Sequence, residues 1–212
     1  PKDGMPYRPS VLAKDIKAVQ AYREHPEVVR IVLCSTTMKL NPGFLETCQK
    51  ILTQSKVKIH FEFLIGQAQG LIFPQVQGLV QQYLGNHVTV YPHQDYSAYM
   101  NVIASCDMFI NPFPFGNTNG IVDTVTCGLV GICKTGDEVH EHIDQGLFER
   151  LGFPEWMVTK TNDEYVAAVI KLAQDHQLRL ELSNNLSGKE NLHKIFDGNA
   201  SVMAQKFLDL LA

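Results

Sequence analysis

The chain has 212 residues, of which 45% are apolar and 19% are charged. A chain of this length can bury a core of its own, so we expect one large domain or two small ones. The formal net charge of −4 disfavours nucleic acid or an anionic membrane surface as a partner. The sequence has neither an apolar run of the roughly 18 residues that cross a membrane nor a signal-peptide pattern at its start.

The cysteines are odd in number, widely spaced and set in apolar runs, with no Cys-x-x-Cys pair: Cys34, Cys48, Cys106, Cys127 and Cys133. This pattern is typical of buried free thiols in a reducing compartment. We therefore expect a cytoplasmic protein.

The chain begins at Pro1 without an initiator methionine, as the interior of a longer polypeptide would. Its first residues lack a strong hydrophobic period. We interpret residues 1–25 as a linker or helix that belongs to a neighbouring domain, and residues 26–212 as one domain with C-terminal helices.

From Glu27 onward, short apolar runs alternate with longer amphipathic stretches, which is typical of βαβ units and a parallel sheet. Strands are predicted at residues 28–34, 57–65, 87–91, 106–110, 129–133 and 156–159. A helix is predicted to begin at residue 42 and to continue at least to residue 52. Further helices are predicted at residues 73–84, 95–105, 119–127, 138–150, 161–175, 176–186 and 200–211. The first strand is nearly continuous in apolar character, as expected of a strand covered on both faces. Polar residues alternate through the second strand up to Glu62, which predicts one wetter face. The sequence thus predicts an α/β fold, with a Rossmann-like parallel sheet and helices on both faces.

Two of the predicted helices carry capping residues at their start. Asn41 precedes Pro42, which is the usual order of an N-cap and a first helical proline. Thr161 and Glu164 have the spacing of a capping box.

In open α/β sheets, ligands bind beyond the carboxyl ends of the strands, near the point where the strand order reverses. The residues that follow the predicted strands are small, hydroxylated, amide or cationic, which suits phosphate oxygens: Ser35, Thr36, Thr37, Lys39, Gly66, Gln67, His93, Lys134, Thr135 and Gly136. For Lys39 alone, the simpler interpretation is a solvated loop lysine that binds no ligand. His93 and Gln67 could equally be residues without a role in binding.

The fourth strand runs into Gly116-Asn117-Thr118-Asn119-Gly120. Small residues let the backbone approach an anion, and the next helix directs free N–H groups at it. We therefore interpret residues 116–120 as a phosphate-binding loop, called the phosphate cradle below. Asp123, one turn later, could accept hydrogen bonds from a ribose diol. A plain strand-to-helix turn and a dipole-paired aspartate are the alternatives.

Other ligand-binding patterns are missing from the sequence. There is no Gly-x-Gly-x-x-Gly after a strand and no Gly-x-x-x-x-Gly-Lys-Ser/Thr, which disfavours a dinucleotide oxidoreductase or a P-loop NTPase. The absence of Gly-x-Ser-x-Gly disfavours an α/β-hydrolase. His140 and His142 are two apart, a poor pair of helical ligands, so we expect no metal site.

Three segments carry a family resemblance: residues 35–42 (Ser-Thr-Thr-Met-Lys-Leu-Asn-Pro), residues 91–93 (Tyr-Pro-His) and the long stretch 109–124. They resemble the C-terminal nucleotide-binding half of the cytoplasmic bacterial N-glucosyltransferases that modify adhesins, which are related to the O-GlcNAc transferases. The resemblance implies one half of a GT-B fold, in which two Rossmann-like domains face each other behind an N-terminal helical domain. It also implies transfer of glucose from UDP-glucose to Asn in Asn-x-Ser/Thr sequons, with inversion and without metal or another cofactor.

Carried over by position, the resemblance assigns donor-binding roles within a UDP-sugar-binding domain at residues 26–212. It places Thr36 and Lys39 at the diphosphate, His93 at the nucleotide, Asp123 at the ribose and Gln67 near the donor. The phosphates would meet Asn119 and the neighbouring amides, including those of Thr118 and Gly120. The partners it implies are UDP-glucose, a sequon-bearing adhesin polypeptide and the upstream half of the same enzyme, whereas no catalytic residue can be named.

Two other interpretations remain open at this point. The same fold could serve an O-linked sugar transferase or a nucleotide-sugar epimerase. A different class would be a ligand-sensing or interaction module without turnover.

Overall fold

The computed structural model describes residues 26–186, 194–195 and 200–211. Six parallel strands form one sheet: β1 (Val28–Thr36), β2 (Lys58–Gly66), β3 (Val88–Tyr91), β4 (Met108–Ile110), β5 (Gly131–Lys134) and β6 (Val158–Thr159). Their spatial order is β3-β2-β1-β4-β5-β6, which is the order of doubly wound Rossmann folds. The predicted α/β architecture is therefore confirmed.

Helices connect and cover these strands: α1 (Pro42–Gln54), α2 (Ile72–Leu84), α3 (Tyr96–Ala104), α4 (Thr118–Thr126), α5 (His142–Leu151), α6 (Asn162–Gln174), α7 (His176–Leu186) and α8 (Ala200–Leu211). Each predicted strand and helix from residue 28 onward has a counterpart, with ends that shift by up to four residues. The interpretation of residues 1–25 lies outside the described residues.

The capping residues act as expected. The Asn41 side chain accepts a hydrogen bond from the Phe44 N–H at 3.0 Å, which satisfies one of the free donors at the start of α1. Thr161 and Glu164 form a reciprocal capping box at the start of α6. Local sequence thus fixes where both helices begin.

The strand order reverses at β1. This strand pairs with β2 along its whole length, so that Thr36 lies opposite Gly66, and it pairs on its other side with β4. The connections after β1 and β4 therefore leave toward opposite faces of the sheet, and a crevice opens between them at the carboxyl ends of the strands.

The central strands are buried on both faces. Ile31, Val32 and Leu33 of β1 are fully inaccessible to solvent, as the continuous apolar pattern predicts. Helix α1 packs against α6. The five cysteines are buried and free, so the prediction of buried free thiols is confirmed.

The prediction of a wetter face on the second strand is wrong at Glu62, which is 2% exposed. Its carboxylate accepts a hydrogen bond from Arg30 Nε at 2.8 Å and another from the Tyr91 hydroxyl at 3.0 Å. A buried carboxylate is tolerated when it is paired and hydrogen-bonded, and here the partners come from the neighbouring strands.

In the part of the chain that the structure describes, no helix is both long enough and apolar enough to span a lipid bilayer.

Candidate functional site

A cavity of about 510 Å³ lies in the crevice where the strand order reverses. Its walls come from the ends of β1 and β2, the loop into α3 and the start of α4: residues 34–36, 64–66, 92–96, and Tyr99, Asn117, Asn119 and Gly120. A larger cavity of about 830 Å³ lies near Thr135, Thr159 and Trp156, beyond β5 and β6. We place the site in the smaller cavity, because it lies at the strand reversal and against the start of a helix.

The N-terminus of α4 forms part of the wall of this cavity, and its first N–H groups are free. Asn117 is the N-cap residue, but its side chain makes no capping hydrogen bond and donates instead to the Cys34 carbonyl of β1. Among the described residues, no partner accepts from the N–H groups of Thr118, Asn119 and Gly120. Uncapped N–H groups and the helix dipole form an anion-binding site.

Gly120 permits the close approach of α4 to β1. A Cβ at this position would overlap the side chain of Asn117 and the Cβ of Cys34. The helix start can therefore pack against the end of β1 only with glycine here, which explains one of the small residues in the predicted cradle.

Lys39 brings a cation to the same loop. It lies in a 3-10 turn that follows β1, and its Nζ donates to the Gly116 carbonyl. Partial burial lowers the pKa of Lys39, and the carboxylate of Asp144 opposes this effect. The ammonium group is held by contacts across the fold and is not a freely solvated loop lysine.

Asp123 faces two tyrosines of α3. Its Oδ1 accepts from the Tyr96 hydroxyl at 3.0 Å and its Oδ2 accepts from the Tyr99 hydroxyl at 3.1 Å. Burial raises the pKa of Asp123, and the two hydrogen bonds act in the opposite direction. A carboxylate has about four acceptor positions, so this side chain, oriented by the tyrosines, can still accept from a diol.

Of the other predicted residues, Thr36 and His93 line the cavity, and Gln67 follows Gly66 of its wall in the chain. Thr36 is half-buried at the end of β1, and His93 is exposed, with its backbone N–H donating to the Ala68 carbonyl at 3.3 Å. Gln67 is exposed and has a φ of +69°, in the left-handed region that non-glycine residues rarely adopt.

Four of the predicted residues line the cavity itself: Thr36, His93, Asn119 and Gly120. Lys39, Gln67, Thr118 and Asp123 are not part of its wall, although Asp123 bonds two tyrosines that are. The sequence did not single out Tyr96, Tyr99 or Asp144. Both tyrosines lie in the helix predicted at residues 95–105, soon after the end of the third predicted strand, so the rule that ligands lie beyond strand ends could have identified them. No local pattern points to Asp144.

Within the described residues, no group of three or more His, Cys, Asp or Glu side chains could hold a metal ion. His140, half of the weak pair noted in the sequence, stacks on the Phe115 ring at 5.4 Å between centroids. The expectation of a metal-free reaction stays a prediction.

Comparison with known proteins adds the following. Two UDP-glucose:protein N-beta-glucosyltransferases, from Actinobacillus pleuropneumoniae serotypes 5b and 7, are each 52% identical to this chain over 211 residues. The match takes in 100% of this chain and 34% of each relative, so the chain spans about a third of the length of these relatives. No model of a known protein family matches the chain.

Solved structures of glycosyltransferases share the fold. A mutant O-GlcNAc transferase of Thermobaculum terrenum superposes with a TM-score of 0.69 at 13% identity, over 86% of this chain and 35% of that one. TarM gives a TM-score of 0.58 at 12% identity, over 89% and 36% of the two chains. MurG of Acinetobacter baumannii gives 0.53 at 14% identity, over 85% and 51%. The chain therefore has the fold of one half of a GT-B glycosyltransferase and resembles, over its whole length, a C-terminal part of the UDP-glucose:protein N-beta-glucosyltransferases.

Proposed function

We propose that this chain is the UDP-sugar-binding domain of an inverting, metal-independent glycosyltransferase that moves glucose from UDP-glucose to Asn in Asn-x-Ser/Thr sequons. The observation that carries the proposal is the uncapped start of α4 beside Lys39, at the strand reversal. The 52% identity to UDP-glucose:protein N-beta-glucosyltransferases supports the choice of donor and acceptor class.

The diphosphate is assigned to the part of the crevice that is formed by the N-terminus of α4 and lies beside Lys39. The amides of Thr118, Asn119 and Gly120 and the ammonium of Lys39 stabilise the charge that develops as UDP leaves. Thr36, which lines the same cavity, is assigned to the diphosphate as well. Fixed donors aimed at developing charge are often the largest single contribution to catalysis. They perform the role that a divalent cation has in metal-dependent transfer.

The nucleoside is assigned to the side of the cavity formed by the loop into α3. Asp123, oriented by Tyr96 and Tyr99, accepts hydrogen bonds from the ribose diol. His93 lies at the mouth, where it contacts the nucleotide, and Gln67 lies near the donor.

The acceptor is assigned to parts of a longer protein that this chain does not contain. An inverting displacement needs the acceptor nitrogen held in line with the anomeric carbon and the leaving phosphate, and one Rossmann-like domain forms a single wall of such a cleft. The second wall is the upstream half of the enzyme. The acceptor is a sequon-bearing polypeptide such as an adhesin, modified in the cytoplasm; nucleic acid and membrane have no part in the reaction.

Calorimetric titration of the chain with UDP, ADP and GDP tests the nucleotide assignment. We expect UDP to bind at least tenfold more tightly than either purine nucleotide, which corresponds to about 1.4 kcal/mol. Equal affinity for all three would contradict a uridine site. No binding of any of them would favour the ligand-sensing or interaction module instead.

Product analysis separates the proposal from other enzymes with the same fold. With the upstream half present, UDP-glucose and a sequon peptide should yield glucosylated Asn. Sugar on a Ser or Thr hydroxyl would indicate an O-linked transferase, and an epimerised sugar nucleotide with no peptide product would indicate an epimerase.

A further inference from the structure

We propose that Asp144 is a positioning residue for the donor diphosphate, acting through the backbone of the loop that precedes α4. The inference rests on the proposed function, and it assigns a role to a side chain that lies outside the wall of the cavity.

Asp144 lies in the first turn of α5 and is 2% exposed. Both of its carboxylate oxygens accept from the N–H of Asn117, at 2.9 Å to Oδ1 and 3.2 Å to Oδ2. The backbone of Gly116 runs directly against the carboxylate, because a Cβ on Gly116 would overlap it. The Asp144 side chain therefore packs against the backbone of this loop at Gly116 and Asn117.

Asn117 transmits this contact to α4. Its carbonyl accepts the first helical hydrogen bond, from Ile121 N–H at 3.0 Å, and its side chain donates to the Cys34 carbonyl. With the N–H bound to Asp144 as well, Asn117 is held by α5, β1 and α4 together. The backbone N–H of Asn117 is bound to Asp144 and is not available to phosphate. Because Asn117 is held in place, the N–H groups of Thr118, Asn119 and Gly120 that follow it are fixed in direction.

The same loop also holds the cation. Lys39 donates to the carbonyl of Gly116, so a shift of the loop moves both the ammonium group and the start of α4. Loss of the Asp144 contact should therefore weaken recognition of the diphosphate and leave recognition of the nucleoside intact. The loop needs an acceptor oxygen at position 144; it does not need a negative charge, which would repel the phosphates.

The test compares the dissociation constants of UDP and uridine for the full chain and its variants. We expect Asp144→Ala to weaken UDP binding by up to roughly tenfold, the effect of losing one hydrogen bond, with uridine affinity unchanged. Asp144→Asn keeps an acceptor oxygen, and its UDP affinity should stay within about threefold of the parent chain. A merely structural role would weaken both ligands together, and that result, or an unchanged UDP affinity, would overturn the proposal.

Gly116→Ala perturbs the same contact from the loop and covers the case in which Asp144→Ala fails to fold. Its methyl group must displace the carboxylate, so we expect the same selective loss of UDP affinity. In the Asp144→Ala background the methyl group finds space, and Gly116→Ala should cost nothing further. If the losses of UDP affinity caused by Asp144→Ala and by Gly116→Ala instead add up in the double variant, the proposal is overturned. If the parent chain binds neither UDP nor uridine, the proposed function itself fails; if it binds both and no variant changes the ratio, only the role of Asp144 fails.

Discussion

Replacing Lys39 with Ala should weaken UDP binding far more than it weakens the fold. A hydrogen bond to a charged group contributes about 1.5–3 kcal/mol, which corresponds to a loss of roughly 10- to 150-fold in affinity. In the unliganded chain the ammonium makes a hydrogen bond to the Gly116 carbonyl. Losing one such half-buried contact should lower the free energy of unfolding by about 1 kcal/mol. Calorimetric titration with UDP and urea unfolding measure the two effects separately.

Lys50→Ala is the matched control, because it removes an equal charge from the surface of α1. Lys50 is exposed and lies 3.7 Å from Asp163, an ion pair of a kind that contributes little, so UDP affinity should not change. Lys39→Arg keeps the charge with a different donor geometry, and we expect an intermediate affinity. A Lys39→Ala chain that binds UDP as tightly as the parent would remove this residue from the diphosphate site and refute the reasoning.

Four further predictions follow from the same structure. Asp123→Ala should weaken binding of UDP much more than that of pyrophosphate, and equal losses would contradict the ribose assignment. Burial raises the pKa of Asp144 from 3.8 to about 6, so the folded state binds this proton more tightly than the unfolded chain. The free energy of unfolding should then fall by roughly 3 kcal/mol in all as the pH rises from about 3, below both pKa values, to about 7, above both. Urea unfolding across that range measures this pH dependence, and Asp144→Asn should not show the fall. The same pH dependence in Asp144→Asn as in the parent chain would contradict the raised pKa of Asp144. Chelators should leave the activity of the complete enzyme intact, whereas a need for added Mg²⁺ or Mn²⁺ would contradict the metal-free mechanism. Residues 1–212 alone should bind UDP without glucosylating a sequon peptide, and adding the upstream half should restore transfer. Transfer by this chain alone would refute the assignment of the acceptor to the upstream half.

The order of strands and helices could be predicted because each depends on short-range patterns. Apolar runs and capping residues such as Asn41 and Thr161 mark where elements begin, since a cap acts on N–H groups two or three residues away. The carboxyl ends of the strands could be found in the same way. Candidates as far apart as Thr36, His93 and Asn119 therefore lie around one cavity.

The exposure and partners of polar side chains could not be read from the same patterns. Glu62 sits in an alternating strand that predicts solvent contact, yet its partners Arg30 and Tyr91 lie on the neighbouring strands. Whether a carboxylate is buried depends on what the adjacent strands supply, and this is set by sheet order and register, not by the residues beside it in sequence.

The sequence by itself determined the parallel α/β architecture, the edge of the sheet at which the candidate cavity lies, and the small residues at the start of α4. Only the tertiary structure decided how that site is held. Asp144 reaches Asn117 across 27 positions of the chain, and Lys39 reaches Gly116 across 77. These contacts exist because β1 and β4 are neighbours at the strand reversal and α5 packs behind the loop, an arrangement that a local pattern does not encode.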